Sequence, residues 1–264
     1  MKANGKSGFC DLHCHVLPEI DDGPDRLEQA VQMCRQAVAD GITTIVATPH
    51  YNSVYHPDPG RVQQAADDLR QALAAEGLPV DIVLGADVAA GTSLEDLLTT
   101  KQHLTIDSQG KYILFEPPSS TMPSWITDII FDLRLSGLSV IITHPERNFE
   151  VQQNPNIILP LVRSGVLMQI TADSIVGNFG REAKKCSGTL LKMNAVHFIA
   201  SDAHSPDGRV PHLSDAARKA SKYIGERALK LVCDNPRAVV AGDVVEIPDP
   251  EPLVSWFSGI AGPN

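Results

Sequence analysis

The chain has 264 residues, 43% hydrophobic and 20% charged, with 22 basic against 32 acidic side chains and a formal charge of −10. A folded chain of this length exposes on the order of 11,000 Å² of roughly 41,000 Å² unfolded, so one sizeable core forms without staples. The acidic balance, with no Lys/Arg cluster, excludes a broad nucleic-acid surface and disfavours acidic membranes.

Cys10, Cys14, Cys34, Cys186 and Cys233 are odd in number and include no CxxC pair. Reduced thiols and a cytoplasmic location are expected, without a disulfide framework or a thiolate zinc site. Nowhere do 18 uncharged apolar residues follow one another, and the N-terminal stretch to His15 has no apolar run of signal-peptide length. The protein is therefore expected to be neither exported nor membrane-embedded.

In chain order, Phe9 to Cys14 reads as the first strand. Leu27, Ala30, Val31, Cys34, Ala37 and Val38 follow with helical spacing, Pro24 suiting the first turn and Gly41 the stop. A strand from Ile42 to Ala47, a helix from Gly60 to Glu76 and strands at Val80 to Leu84 and Tyr112 to Phe115 come next. Then follow a helix from Pro123 to Ser136, a strand from Leu138 to Thr143, a helix from Asn154 to Ser164 and a strand from Val166 to Ile170. A helix from Arg181 to Asn194, a strand from Val196 to Ala200 and a helix from Leu213 to Cys233, broken near Gly225, complete the series.

The seven strand candidates are short, continuous and rich in Ile and Val, as parallel strands buried on both faces are. Seven β-α units without a linker predict one α/β domain over residues 1–245, a closed or nearly closed barrel, with an open doubly wound sheet as the alternative. Residues 246–264, a proline-rich exit carrying Trp256 and Phe257, read as a tail draped over the body or partly disordered.

The nine histidines are the most informative feature. His13 and His15 close the first strand, His50 follows the second, His144 the fifth and His204 the seventh; Asp87, Glu116 and Asp202 follow the third, fourth and seventh. Strand C-termini of a parallel barrel open on one face, so these residues are expected to converge there. A period of two puts Asp11, His13 and His15 on one side of the strand, with Leu12 and Cys14 on the other. Two imidazoles and carboxylates without a cysteine suit a divalent cation held by nitrogen and oxygen. Core histidines and capping carboxylates are the competing account of each residue alone. In Asp21-Asp22-Gly23-Pro24 one carboxylate is expected to cap a turn and the other to reach a metal.

The segments DLHCHVLPEIDDGP, ATPH, LFEPP, THPERN, QITADSIVGNFG and ASDAH resemble, in content and order, the polymerase and histidinol phosphatase (PHP) superfamily. They are most similar to its bacterial protein-tyrosine-phosphatase branch of capsule and exopolysaccharide assembly, from about residue 9 to about residue 242. The resemblance implies a distorted seven-stranded (β/α) barrel with a trinuclear metal site at the strand C-termini, typically manganese, with iron or zinc as alternatives. It implies His13, His15 and Asp202 on one ion, Asp22, His50 and His204 on another, and Glu116 and His144 on the third, with position 87 bridging. Asp87 departs from the usual Glu of the family and has less reach, which predicts either an inward strand end or a ligand for one ion only. Arg147 and Arg209 match arginines placed against the substrate phosphate, a role that suits the guanidinium fork. Surface pairs, Arg147 with Glu146 or Arg209 with Asp207, are the competing account.

Such a site is expected to hydrolyse a phosphomonoester with hydroxide generated from a metal-acidified water, so no protein nucleophile is required. The cysteines agree, because none lies in a C-x5-R loop. The implied substrate is phosphotyrosine in a protein, a bacterial tyrosine kinase of polysaccharide export. The alternatives are a small phosphomonoester such as histidinol phosphate, phosphodiester cleavage, disfavoured by the missing basic groove, and a non-catalytic metal-binding regulatory module. In the loop from Tyr51 to Pro59, Tyr51, Tyr55 and His56 read as a surface turn or as contacts to a phosphotyrosine ring, and Asn178 and Phe179 read as the pocket border.

Overall fold

The computed structural model describes residues 8–253; Trp256 and Phe257 lie outside the described residues. Its strands are β1 (Phe9–Cys14), β2 (Ile42–Ala47), β3 (His50–Tyr51), β4 (Asp81–Leu84), β5 (Asp87–Ala89), β6 (Tyr112–Glu116), β7 (Ser139–Thr143), β8 (Leu167–Thr171) and β9 (Phe198–Ala200). All seven expected strands are present. The additional two, β3 and β5, arise because the second and third expected strands break at Thr48-Pro49 and Gly85-Ala86. Pro49 has no N–H to give to a ladder.

Every strand pair is parallel, in the orders β1-β2-β4 and β3-β5-β6-β7-β8-β9. Pairing continues across the break, because Gly85 N donates to Ala47 O at 2.9 Å and Asp87 N to Pro49 O at 3.0 Å. At the other edge β1 meets the end of β9: Asp202 N donates to His13 O and His15 N to Ala203 O, both at 2.8 Å. The strands thus close a ring, the barrel expected from the alternation of elements, with the distortion that the family resemblance implied.

The helices are α1 (Leu27–Asp40), α2 (Pro59–Ala75), α3 (Leu94–Leu104), α4 (Trp125–Leu135), α5 (Phe149–Gln153), α6 (Leu159–Arg163), α7 (Ala172–Val176), α8 (Gly180–Lys192), α9 (Ser214–Ile224), α10 (Arg227–Lys230) and α11 (Asp234–Ala241). Pro24 lies ahead of α1, which starts after an extended Arg26 and ends at Gly41; the Pro24 carbonyl instead accepts from Glu19 N at 3.0 Å. The helix expected from Asn154 to Ser164 is divided into a 3-10 turn, Pro155–Ile158, and α6. Pro155 and Pro160 each stand in the first turn of their own segment, where a missing N–H costs nothing. Helices α3, α5, α7 and α11 were not expected.

Two apolar layers hold the barrel. Leu12, Val46, Leu114, Ile141, Leu167 and Phe198 fill its interior with Val239 of α11. Ile45, Ile113, Ile142, Met168 and Ile199 belong to the layer outside the strands, with Ala30, Cys34 and Ala37 of α1. Asp11 is buried beside the β1–β9 joint, where its carboxylate accepts from Ser201 N at 2.9 Å and from Ser201 Oγ. The exit from the barrel lies on this body: Glu251 N donates to Met193 O, and Leu253 N to Asn156 Oδ1.

Candidate metal centre

The site begins with an irregularity in β1. Between Asp11 and Cys14 that strand advances three residues while β2 advances two, from Ile45 to Ala47. This bulge interrupts the alternation expected from sequence: Leu12 enters the inner cluster and Cys14 the outer one, and Asp11 serves the barrel joint. His13 and His15 are released from strict strand geometry into the C-terminal mouth, and both are buried. Two further site residues end their strands in the left-handed region, His144 after β7 at φ 36° and Asp202 after β9 at φ 52°. Each conformation costs on the order of 1 kcal/mol for a residue with a Cβ, and such strain collects where a side chain must be re-aimed.

Three histidines tie one ring nitrogen into the protein. His13 Nδ1–H donates to Gln169 Oε1 at 2.9 Å, His15 Nδ1–H to Asp21 Oδ2 at 2.7 Å and His204 Nδ1–H to the Asp202 carbonyl at 3.0 Å. In the neutral ring each Nε2 therefore presents a lone pair to the mouth. The Nε2 atoms of His13 and His15 face each other at 3.0 Å, a contact that attracts only when a proton or cation lies between them. Asp87 Oδ2 and His50 Nδ1, both buried, make no hydrogen bond although they stand 3.4 Å apart. Such orphaned donor atoms, all nitrogen and oxygen, fit a divalent cation.

Among the described residues three sets of donor atoms lie mutually within 4.8 Å: His15, Asp22, His50 and His204; His13, His15 and Asp87; and His50, Asp87 and Glu116. Asp87 belongs to two of them. Its Oδ2 reaches His13 Nε2 at 3.7 Å as well as His50, so the shorter side chain spans both neighbours from its place in β5. Asp22 Oδ1 stands 3.6 Å from His50 Nε2 and 3.5 Å from His204 Nε2, and His144 Nε2 stands 3.5 Å from Glu116 Oε1. Asp202 Oδ1 faces His13 Nε2 at 3.4 Å and His15 Nε2 at 3.5 Å. Asp202 thus borders the sets through His13 and His15, and His144 borders them through Glu116.

Both arginines converge on Asp202. Arg147 Nη1 donates to Asp202 Oδ2 at 2.6 Å, and Arg209 Nη2 contacts the same oxygen. Neither makes the local surface pair that would compete with a functional role. Glu146 is buried and accepts from Thr171 N at 3.0 Å and Ser174 Oγ at 2.6 Å instead.

Burial, reinforced by Arg147, holds His144 down at about 3, and burial with His15 nearby holds His204 at about 2. Burial likewise lowers His13. All three are neutral near pH 7. Burial pushes the Asp87 and Asp202 carboxyls up, but the surrounding histidines outweigh it, His13 first, and both lie well below the usual carboxylate range. For His15 burial is outweighed by hydrogen bonds to Asp202 and Asp21, which raise it to about 10. Burial and the Asp87 charge raise Glu116 to about 7. Neutral imidazoles beside ionised carboxylates are the donor chemistry a divalent cation requires, and its binding displaces the protons held by His15 and Glu116.

Asp21, Gln169 and Thr143, which donates to Asp87 Oδ1 at 3.3 Å, orient the donors and were not assigned that role from sequence. The available signal was Gln169, a polar residue inside the otherwise apolar run of β8. Asp21 also accepts from Gly23 N and His50 N, at 3.0 and 2.9 Å, so it anchors two neighbouring segments. Asp21→Asn is expected to weaken divalent-cation affinity about 10- to 100-fold. Metal titration checks this, and the His15 protonation midpoint followed by NMR should fall in the metal-free protein.

In the Tyr51–Pro59 stretch, the Tyr55 ring lies 6.1 Å from that of His50 at 18°, so it borders the mouth. Tyr51 is buried and bonds His56 Nε2 at 2.7 Å. Both line a cavity of about 550 Å³ with Pro49, Leu84, Ala86 and Leu104, to which none of the candidate donors contributes. No helix among the described residues is long and apolar enough to cross a membrane.

Residues 9–241 match the family described as capsular polysaccharide synthesis, CpsB/CapC. The chain is 36% identical over 244 residues to tyrosine-protein phosphatase YwqE of Bacillus subtilis, covering 92% of this chain and 96% of the relative. It is 34% identical over 200 residues to the putative tyrosine-protein phosphatase CapC of Staphylococcus aureus, covering 75% and 78%. A solved structure from a study of YwqE of Bacillus subtilis and CpsB of Streptococcus pneumoniae, described as metal-dependent tyrosine phosphatases, superposes with a TM-score of 0.87 at 35% identity, covering 93% of this chain and all of the other. The phosphotriesterase homology protein of Escherichia coli, at 12% identity and a TM-score of 0.59, shares the fold alone. With the barrel, the clustered donors and a match over almost the whole described chain, this protein belongs to the CpsB/CapC family.

Proposed function

We propose that this protein is a cytoplasmic, metal-dependent phosphatase that hydrolyses phosphotyrosine in proteins, its substrate a tyrosine kinase of polysaccharide export. The observation that carries the reading is a pair of guanidiniums, Arg147 and Arg209, meeting at the edge of a cluster of nitrogen and oxygen donors. The names of YwqE, CapC and CpsB supply the substrate class. The catalytic unit is the barrel, whose described elements run from Phe9 to Ala241.

His13, His15, Asp22, His50, Asp87, Glu116, His144, Asp202 and His204 would hold the divalent cations, three in number and manganese by preference. When bound, such ions supply acidified water and polarise phosphoryl oxygens. The protein's own groups do the rest. Asp21 and Gln169 fix the imidazole tautomers. With Asp202 holding a cation, Arg147 and Arg209 would offer their donors to the equatorial phosphoryl oxygens, where paired N–H groups offset the charge of the transition state. Phenolate, with a conjugate pKa of about 10, leaves with modest assistance.

Turnover of a phosphotyrosyl peptide and of histidinol phosphate, compared with manganese present, tests the reading. Faster hydrolysis of the small metabolite would overturn it. Less than one divalent ion per chain, with no activity after manganese is added, would favour a non-catalytic module.

Asp87→Glu is a further test. Lengthening the residue to the usual family Glu preserves or raises activity if reach is limiting. Here Asp87 is fully buried, accepts from Thr143 and already meets both His13 and His50. The expected result is a loss of about tenfold or more in kcat, because one added methylene in a filled site costs about 1–3 kcal/mol. An unchanged or higher kcat would show that reach limits the native enzyme.

A further inference from the structure

Phe179 stands beside two cations that repel each other. Its ring centroid is 4.8 Å from Arg147 Cζ and 5.5 Å from Arg209 Cζ. The three residues come from three segments: the turn after β7, the loop between α7 and α8, and the loop after β9. We propose that Phe179 is a positioning residue that holds Arg147 and Arg209 together as one phosphate-binding fork. This deepens the phosphatase reading and rests on it for the substrate, but not for the binding of phosphate itself.

The loop is built to place that ring. Gly177 and Gly180 bracket it at φ 107° and 90°, a backbone region that side chains other than glycine rarely adopt. Between them Asn178 is pinned to Asp173 twice, its N donating to the carbonyl at 2.9 Å and its Nδ2 to Oδ1 at 2.7 Å. Asp173 Oδ1 also faces His212 Nε2 at 3.4 Å, which ties this loop to the segment carrying Arg209.

An aromatic ring has a chemical advantage here. In the described structure the arginines share one carboxylate oxygen, that of Asp202. Once Asp202 serves a cation, that oxygen no longer neutralises both guanidiniums. A second carboxylate would restore order but would compete with a dianionic phosphate for the same N–H groups. A π face attracts guanidinium without cancelling its charge, so the fork stays ordered and remains electropositive.

The test is calorimetric titration of the manganese-loaded protein with inorganic phosphate. Phe179→Leu is expected to raise the phosphate Kd about tenfold, the combined effect of two modest cation–π contacts, while Phe179→Tyr and Phe179→Trp stay near wild type. Phe179→Met, unbranched and flexible, carries the comparison if the leucine variant does not fold. In a protein already carrying Arg147→Ala and Arg209→Ala, Phe179→Leu should have no further effect, because nothing is left for it to position. An unchanged Kd in Phe179→Leu, or an equal loss in the arginine-free background, would overturn the proposal. If wild type binds phosphate but does not hydrolyse phosphotyrosyl peptide, the phosphatase reading fails and the fork stands or falls on these affinities alone.

Discussion

His13→Ala and Asp202→Ala are each expected to reduce turnover of phosphotyrosyl peptide by on the order of a thousandfold, the scale of losing metal-assisted charge stabilisation. His13 Nε2 meets His15, Asp87 and Asp202, and Asp202 meets His13, His15 and both arginines, so either change removes a donor from the middle of the cluster. The fold should survive, because the barrel ring is closed by backbone bonds that neither side chain makes: Asp202 N to His13 O, and His15 N to Ala203 O. Metal content measured by elemental analysis should fall with activity while the circular dichroism spectrum is unchanged. A wild-type rate in either variant would remove that residue from the metal assignment.

Arg147→Ala and Arg209→Ala are expected to lower kcat/KM by about 100- to 1,000-fold each, comparable to the loss of one preorganised oxyanion donor. Unlike the donor variants, they should retain their metal, since removing a guanidinium from Asp202 leaves its carboxylate freer for a cation. Lysine should recover only part of the loss at either position, because an ammonium cannot present two N–H groups in fixed geometry. The double variant should lose less than the product of the two single losses, because both arginines meet at one carboxylate oxygen and beside one ring. Metal analysis beside the kinetics separates the two groups of residues; an arginine variant that loses its metal would argue that the arginine supports the cluster rather than binding phosphate.

The parallel α/β architecture was legible because seven runs of Ile, Val and Leu alternate with helical periodicity, and burial on both faces permits little else. The candidate site was legible for a related reason: side chains that chemistry needs, such as His50, Glu116 and His144, follow these runs within three residues, and strand ends in a barrel share one face. Asp22 could be set apart from Asp21 only by resemblance. In the structure the distinction is geometric, with Asp22 Oδ1 facing His50 and His204 while Asp21 accepts from His15.

What sequence periodicity could not supply was direction. Strict alternation predicted one side for Asp11, His13 and His15, but a bulge in β1 sends Asp11 to the barrel joint. The left-handed backbone at His144 and Asp202 has no local signal either, since neither residue is glycine. Local surface pairing of Arg147 with Glu146 was the competing account on paper, yet the buried Glu146 satisfies Thr171 and Ser174, and Arg147 turns to Asp202.

By itself, then, the sequence determined the layered α/β fold, the set of potential donors and the lack of a Lys/Arg cluster, because periodicity, residue type and net charge are properties of the chain. Only the tertiary structure decided which nitrogen of each histidine faces inward, that Asp87 reaches two neighbours, and that Arg147, Arg209 and Phe179 meet at one carboxylate. Contacts of this kind depend on residues far apart in sequence, and closing the ring brings β1 against β9 across 190 positions, as between Asp11 and Ser201. Their directions come from bulges, strained strand ends and competing hydrogen bonds, none of which follows from spacing along the chain.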